Sequence, residues 1–155
     1  MPRMELIAGD APDILVILGT EHLGGRADPG RFHAYLPLSG SIDPSWLDFF
    51  ADAARVATSQ EVPSDFIDAR IDLGATRDEY LTIERVDPAW VAAVARIPEH
   101  ALDALAGHWI DRLEEEIGAL PGEEKPWIRE LAGQVVTFCR AADAAPDVVF
   151  VWALG

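Results

Sequence analysis

The chain closes on an apolar run, Val148 to Leu154 (Val-Val-Phe-Val-Trp-Ala-Leu), placed directly after two long amphipathic helix patterns. This order constrains the fold more than any other feature. A short stretch with apolar side chains at successive positions is a strand covered on both faces. It needs pairing partners, and the other strand-like segments lie in the first half of the chain. The last strand is therefore expected to return to the sheet near its centre, which makes the intervening helices an integral layer and not an appended domain.

The first-half segments are of three kinds. Over residues 65–73, Ile67, Ala69, Ile71 and Leu73 point one way while Asp68, Arg70 and Asp72 point the other, the pattern of a half-buried antiparallel strand. Gly74 to Asp78 then reads as a hairpin loop and Glu79 to Val86 as the returning strand. Ile14 to Leu18, bounded by Pro12-Asp13 and Gly19, reads as an interior strand. His33 to Leu38 reads as a short strand that Pro37 confines to a sheet edge, because proline cannot donate a ladder hydrogen bond.

Helix starts are marked by a repeated pattern, Ile42-Asp43-Pro44-Ser45-Trp46-Leu47 and Val86-Asp87-Pro88-Ala89-Trp90-Val91. Asp is an N-cap acceptor, Pro at the first helical position has no amide to waste, and the flanking apolar pair forms a hydrophobic staple. The flanks do not align at one offset, so two uses of one good helix start compete with an old duplication. Further on, Leu102, Leu105, Trp109, Leu113 and Ile117 form one stripe and Ile128, Leu131, Val135, Phe138 and Ala142 another. Gly107 and Gly133 interrupt these helices at a cost of ~1 kcal/mol each relative to Ala. A close helix crossing at the two glycines is the expected compensation. The fold expected is thus a single α+β domain over residues 1–155, a mixed or mostly antiparallel sheet packed against a C-terminal helical layer.

Charge narrows the partners. With 27 acidic and 12 basic residues the net charge is −15, which opposes nucleic acid and anionic membrane surfaces. Residues 61–80 and 101–130 hold more than half of the excess. Asparagine is absent and Lys125 is the only lysine, so a compositional bias is a competing origin for the acidity. The single cysteine, Cys139, excludes an internal disulfide and reads as a buried thiol. No apolar run reaches the ~18–20 residues of a membrane helix, and no signal-peptide pattern opens the chain. A cytoplasmic protein is expected.

The best candidate ligand site is the segment Gly19 to His33, which gathers Glu21, His22, Arg26, Arg31 and His33. Arg26 and Arg31 are the residues expected to hold a carboxylate or phosphate there, and Glu21 and His22 those expected to transfer protons. A solvated loop is the competing reading, since no Walker or G-x-G-x-x-G pattern accompanies the glycines. No metal or other cofactor is expected. His100 and His108 lie ~12 Å apart along one helix, and His108, Asp111 and Glu115 share a stripe with Arg112 that reads as solvent-facing. No catalytic residue is assigned: the serines lie outside any nucleophile elbow, and Arg70 separates Asp68 from Asp72.

Glu114, Glu115 and Glu116 end one helix and Glu123 and Glu124 open the next, opposed by Lys125. This patch suits a basic protein partner, against the plainer reading of a solvated helix end. Three functions follow. The leading one is a non-enzymatic interaction or regulatory protein, such as an immunity-like neutraliser of a basic partner. The second is a ligand-binding protein or enzyme using the Gly19–His33 loop. The third is a self-associating structural protein, a homo-oligomer, motivated by five tryptophans in a chain that is half apolar.

Overall fold

A computed structural model describes residues 3–22, 32–38, 45–63, 67–70 and 81–153. In chain order the elements are β1 (Arg3–Gly9), α1 (Ala11–His22), β2 (Ala34–Pro37), α2 (Ser45–Thr58), β3 (Ile67–Arg70), β4 (Leu81–Val86), α3 (Pro88–Ala95), a 3-10 turn (Glu99–Ala101), α4 (Leu102–Ile117), α5 (Lys125–Ala142) and β5 (Asp147–Ala153). The fold is α+β, and its residues group into two compact units. One holds the five strands, α1 and the end of α5; the other holds α2, α3, α4 and α5 through Arg140.

In the sheet unit the strand order is β2-β1-β5-β4-β3, and every pairing is antiparallel. The last strand is central, with Leu6 opposite Phe150 on one side and Ile83 opposite Val151 on the other. Its continuous apolar sequence is explained by burial of both faces. Ile7, Ile83, Val149 and Val151 pack with Ile14 of α1 on one face. Met4, Leu6, Leu36, Val148 and Phe150, which share the opposite parity in the register, are also buried. β2 is an edge strand carrying Pro37, as its missing donor requires. β3 and β4 form the expected antiparallel pair, but the register shifts between Ile67 and Ala69, which oppose the successive residues Val86 and Arg85, so the regular alternation expected through them is interrupted. The proposed hairpin loop at 74–78 lies outside the described residues.

The run Ile14 to Leu18 is not a strand. It lies inside α1, and the strand that precedes it is β1, over Arg3–Gly9. A continuous apolar run does not distinguish a strand from a buried helix, and the local start signals decide. The Asp10 side chain accepts the Asp13 amide at 3.2 Å and the Asp10 carbonyl accepts the Ile14 amide at 2.9 Å, an N-cap with Pro12 in the tolerated first turn. Asp147 at the start of β5 accepts the Ala11 amide at 3.0 Å, so a second first-turn donor is satisfied from the sheet. Burial within the run is unequal: Ile14 is buried, whereas Val16 is 68% exposed.

In the helical unit each helix supplies one tryptophan to a shared aromatic cluster. Trp46 and Phe50, one turn apart on α2, are the hub. Trp46 meets Trp109 of α4 and Trp127 of α5 with centroids 6.5 Å apart in each case. Phe50 meets Trp90 of α3 at 6.1 Å and Trp109 edge-on at 5.1 Å. The buried Trp109 indole N–H donates to the Trp46 carbonyl at 2.9 Å. Trp46 and Trp90, the tryptophans of the repeated start pattern, both reach this cluster, while Ile42, Asp43 and Pro44 of the first copy lie outside the described residues. Ion pairs from Arg140 to Glu99, Arg129 to Asp103 (3.5 Å) and Lys125 to Glu114 (3.6 Å) run in opposite order along the two segments, so α4 and α5 form an antiparallel hairpin.

Two packing expectations are corrected. A Cβ built on Gly107 or Gly133 meets nothing within 4 Å, so no close backbone approach compensates for either glycine. Ile117, placed in the buried stripe by spacing, is 55% exposed, because α4 ends there. The α5 stripe from Ile128 to Ala142 is buried throughout.

Candidate functional site

Glu21 and His22 form the last turn of α1, and the end of an interior strand that made the Gly19–His33 segment attractive is not there. Arg26 and Arg31 lie outside the described residues. His33 is described: its amide donates to the Ala8 carbonyl at 2.9 Å, and its Nε2 lies 2.9 Å from the Ala141 carbonyl at the end of α5. That contact gives His33 a structural task, extending the β1–β2 ladder and meeting a helix C-terminal carbonyl.

The acidic connection is well defined. Glu114 accepts the Leu120 amide at 3.2 Å and pairs with Lys125, which folds the connection back against the end of α4. Gly118, with φ +89°, makes the turn and donates its amide to the Glu114 carbonyl. Glu115 and Glu116 share Arg112, which also reaches Asp52 of α2 at 3.5 Å and stacks over the Phe49 ring at 4.7 Å. Glu124 precedes α5 and its carbonyl accepts the Ile128 amide, a position the helix dipole favours for a carboxylate. Glu115 and Glu123 face solvent, with the Glu115 side chain 71% exposed.

No protein-family model, curated protein or solved structure matches this chain.

Spacing missed one feature. The end of α2, the segment 60–63 and one face of α3 surround an open concavity of about 850 Å³, within the size range of small-molecule sites. Arg55 and Arg96 line it together with Glu61 and Gln60. Arg55 is committed to Asp52 and to the Val62 carbonyl, the latter at 2.6 Å. The signal available in sequence was weak: the alanines of α3 at 89, 92 and 93 leave room beside the helix, but alanine-rich faces usually mark close packing.

Among the described residues no group of three or more His, Cys, Asp or Glu side chains is placed to hold a metal ion, and no helix is long and apolar enough to cross a membrane. His108, Asp111 and Glu115 are all exposed along α4. Cys139 is buried. Ser39 and Ser41 lie outside the described residues, as does Asp72. Trp46, Trp90 and Trp109 are buried in the aromatic cluster, which explains three of the five tryptophans without a subunit interface.

Proposed function

We propose that the chain is a non-enzymatic interaction protein of the cytoplasm that meets a basic partner with the acidic connection between α4 and α5. One observation supports this most: the pairing of Glu114 with the Leu120 amide and Lys125 gathers the carboxylates of both helix ends at one end of the hairpin. Arg112 is already shared among Asp52, Glu115 and Glu116, so the exposed glutamates there outnumber their cations. Such a surface steers and orients a cationic partner, with strong dependence on salt.

Octalysine peptide is a suitable probe. Reversing Glu115, Glu116 and Glu123 to Lys is expected to weaken its binding at least about tenfold more than reversing Asp103, Glu130 and Asp143, exposed acids outside the connection. Both variants change net charge equally. Equal losses reduce the effect to average charge and overturn the assignment of this surface.

A further inference from the structure

We propose that the concavity between the end of α2 and α3 is a binding site for a small zwitterion with an apolar body, such as an apolar amino acid or a dipeptide. Its wall is braced. Ser59 takes a left-handed turn, φ +56°, and donates its amide to the Arg55 carbonyl at 2.9 Å, ending α2. The Gln60 amide donates to Thr58 Oγ1 at 3.3 Å, and the Arg55 guanidinium holds the Val62 carbonyl. Asp52 pairs with Arg55, so that cation is largely matched before any ligand arrives.

The floor follows from helical spacing. Ala89, Ala92 and Ala93 lie at i, i+3 and i+4 on one face of α3, Arg96 follows in the turn where its amide donates to the Ala93 carbonyl at 3.3 Å, and all four line the concavity. The small side chains leave the space, and Val62 and Pro63 add apolar surface to a lining that also holds the polar Gln60. Arg96 and Glu61 carry the unmatched charges. Among the described residues neither is in an ion pair, with the other or with a third group, although both line the same space.

Net charge selects the ligand class. A chain at −15 repels a net anion on approach, which disfavours a simple carboxylate at Arg96. A simple cation reaches Glu61 but leaves Arg96 facing like charge. A zwitterion presents a carboxylate to the guanidinium and an ammonium to the carboxylate, and its apolar carbons cover the alanine floor.

The test titrates the isotope-labelled full chain with leucyl-leucine, its N-acetyl form and its C-terminal amide. Leucyl-leucine is expected to shift the amides of residues 60–62 and 89–96 saturably, with Kd on the order of 1 mM or tighter, and each blocked form to bind about tenfold more weakly. Arg96→Gln removes the penalty for the C-terminal amide alone, Glu61→Gln removes the penalty for the N-acetyl form alone, and Ala92→Leu fills the space and weakens all three. The proposal is overturned by an absence of saturable shifts at these amides, by equal affinity for the three forms, or by charge preferences that survive both Arg96→Gln and Glu61→Gln.

Discussion

The sheet unit and the helical unit carry nearly equal charge, yet different forces organise them. Residues 1–42, 67–88 and 141–155 hold 13 acidic and six basic residues; residues 43–66 and 89–140 hold 14 and six. Average charge therefore does not distinguish the units, and the uneven stretches seen along the sequence reflect placement within each. In the sheet unit the interior is β-branched and aliphatic, ordered by the backbone ladder around β5. In the helical unit, aromatic rings from four helices meet at Trp46 and Phe50, while five of the six cations lie in carboxylate pairs. Truncation in either interior leaves a cavity, and the ring lost from the hub is the larger volume.

The comparison predicts where truncation is most damaging. Phe50→Ala removes the ring that joins Trp90 and Trp109, and destabilisation of about 3–5 kcal/mol is expected in denaturant unfolding. Tryptophan fluorescence should change with it, since the cluster holds four of the five tryptophans. In the sheet unit, Ile83→Ala opens a cavity beside Val151 and is expected to cost about 2–4 kcal/mol. Amide exchange then separates the two: Phe50→Ala lowers protection most in α2 and α4, and Ile83→Ala most in β4 and β5. A larger loss for Ile83→Ala reverses the ranking of hub over ladder.

A feature of this fold is legible in the sequence where the interaction that decides it is local. The central position of β5, the β3–β4 pair, the edge role of Pro37 and the α5 stripe all follow from alternation, spacing or a missing donor, and all are in the structure. The α1 error arose where two local signals disagreed. The apolar run suggested a strand, while Asp10, Pro12 and Asp13 marked a helix start, and the cap prevailed. The Asp147 bond to Ala11 spans 136 residues and leaves no trace in spacing. The α2–α3 concavity was missed for a similar reason: Glu61 and Arg96 are 35 residues apart and share a space only through the fold.

That long-range bond gives a smaller effect. Asp147→Ala leaves the Ala11 amide without its carboxylate acceptor, and a loss of about 1 kcal/mol is expected, readable as faster exchange of the first-turn amides of α1. Asp10→Ala removes the local cap and is expected to cost a similar amount. If only the local cap matters, Asp147→Ala will leave exchange in α1 unchanged.

The smallest effect has the opposite sign and tests the helical hairpin directly. Interior glycine is costly in a helix because the unfolded chain loses more freedom in ordering it, and a close crossing is the usual compensation. Here a Cβ at Gly107 or Gly133 meets no atom within 4 Å. Gly107→Ala and Gly133→Ala are each expected to raise stability by about 0.5–1 kcal/mol. Gly118 supplies the control. Space is equally open around it, but its φ of +89° is one that L side chains rarely adopt, so Gly118→Ala is expected to destabilise. Stabilisation at 107 and 133 with loss at 118 separates the entropy of the helix interior from the geometry of its end. Loss at all three restores the close crossing that the structure argues against.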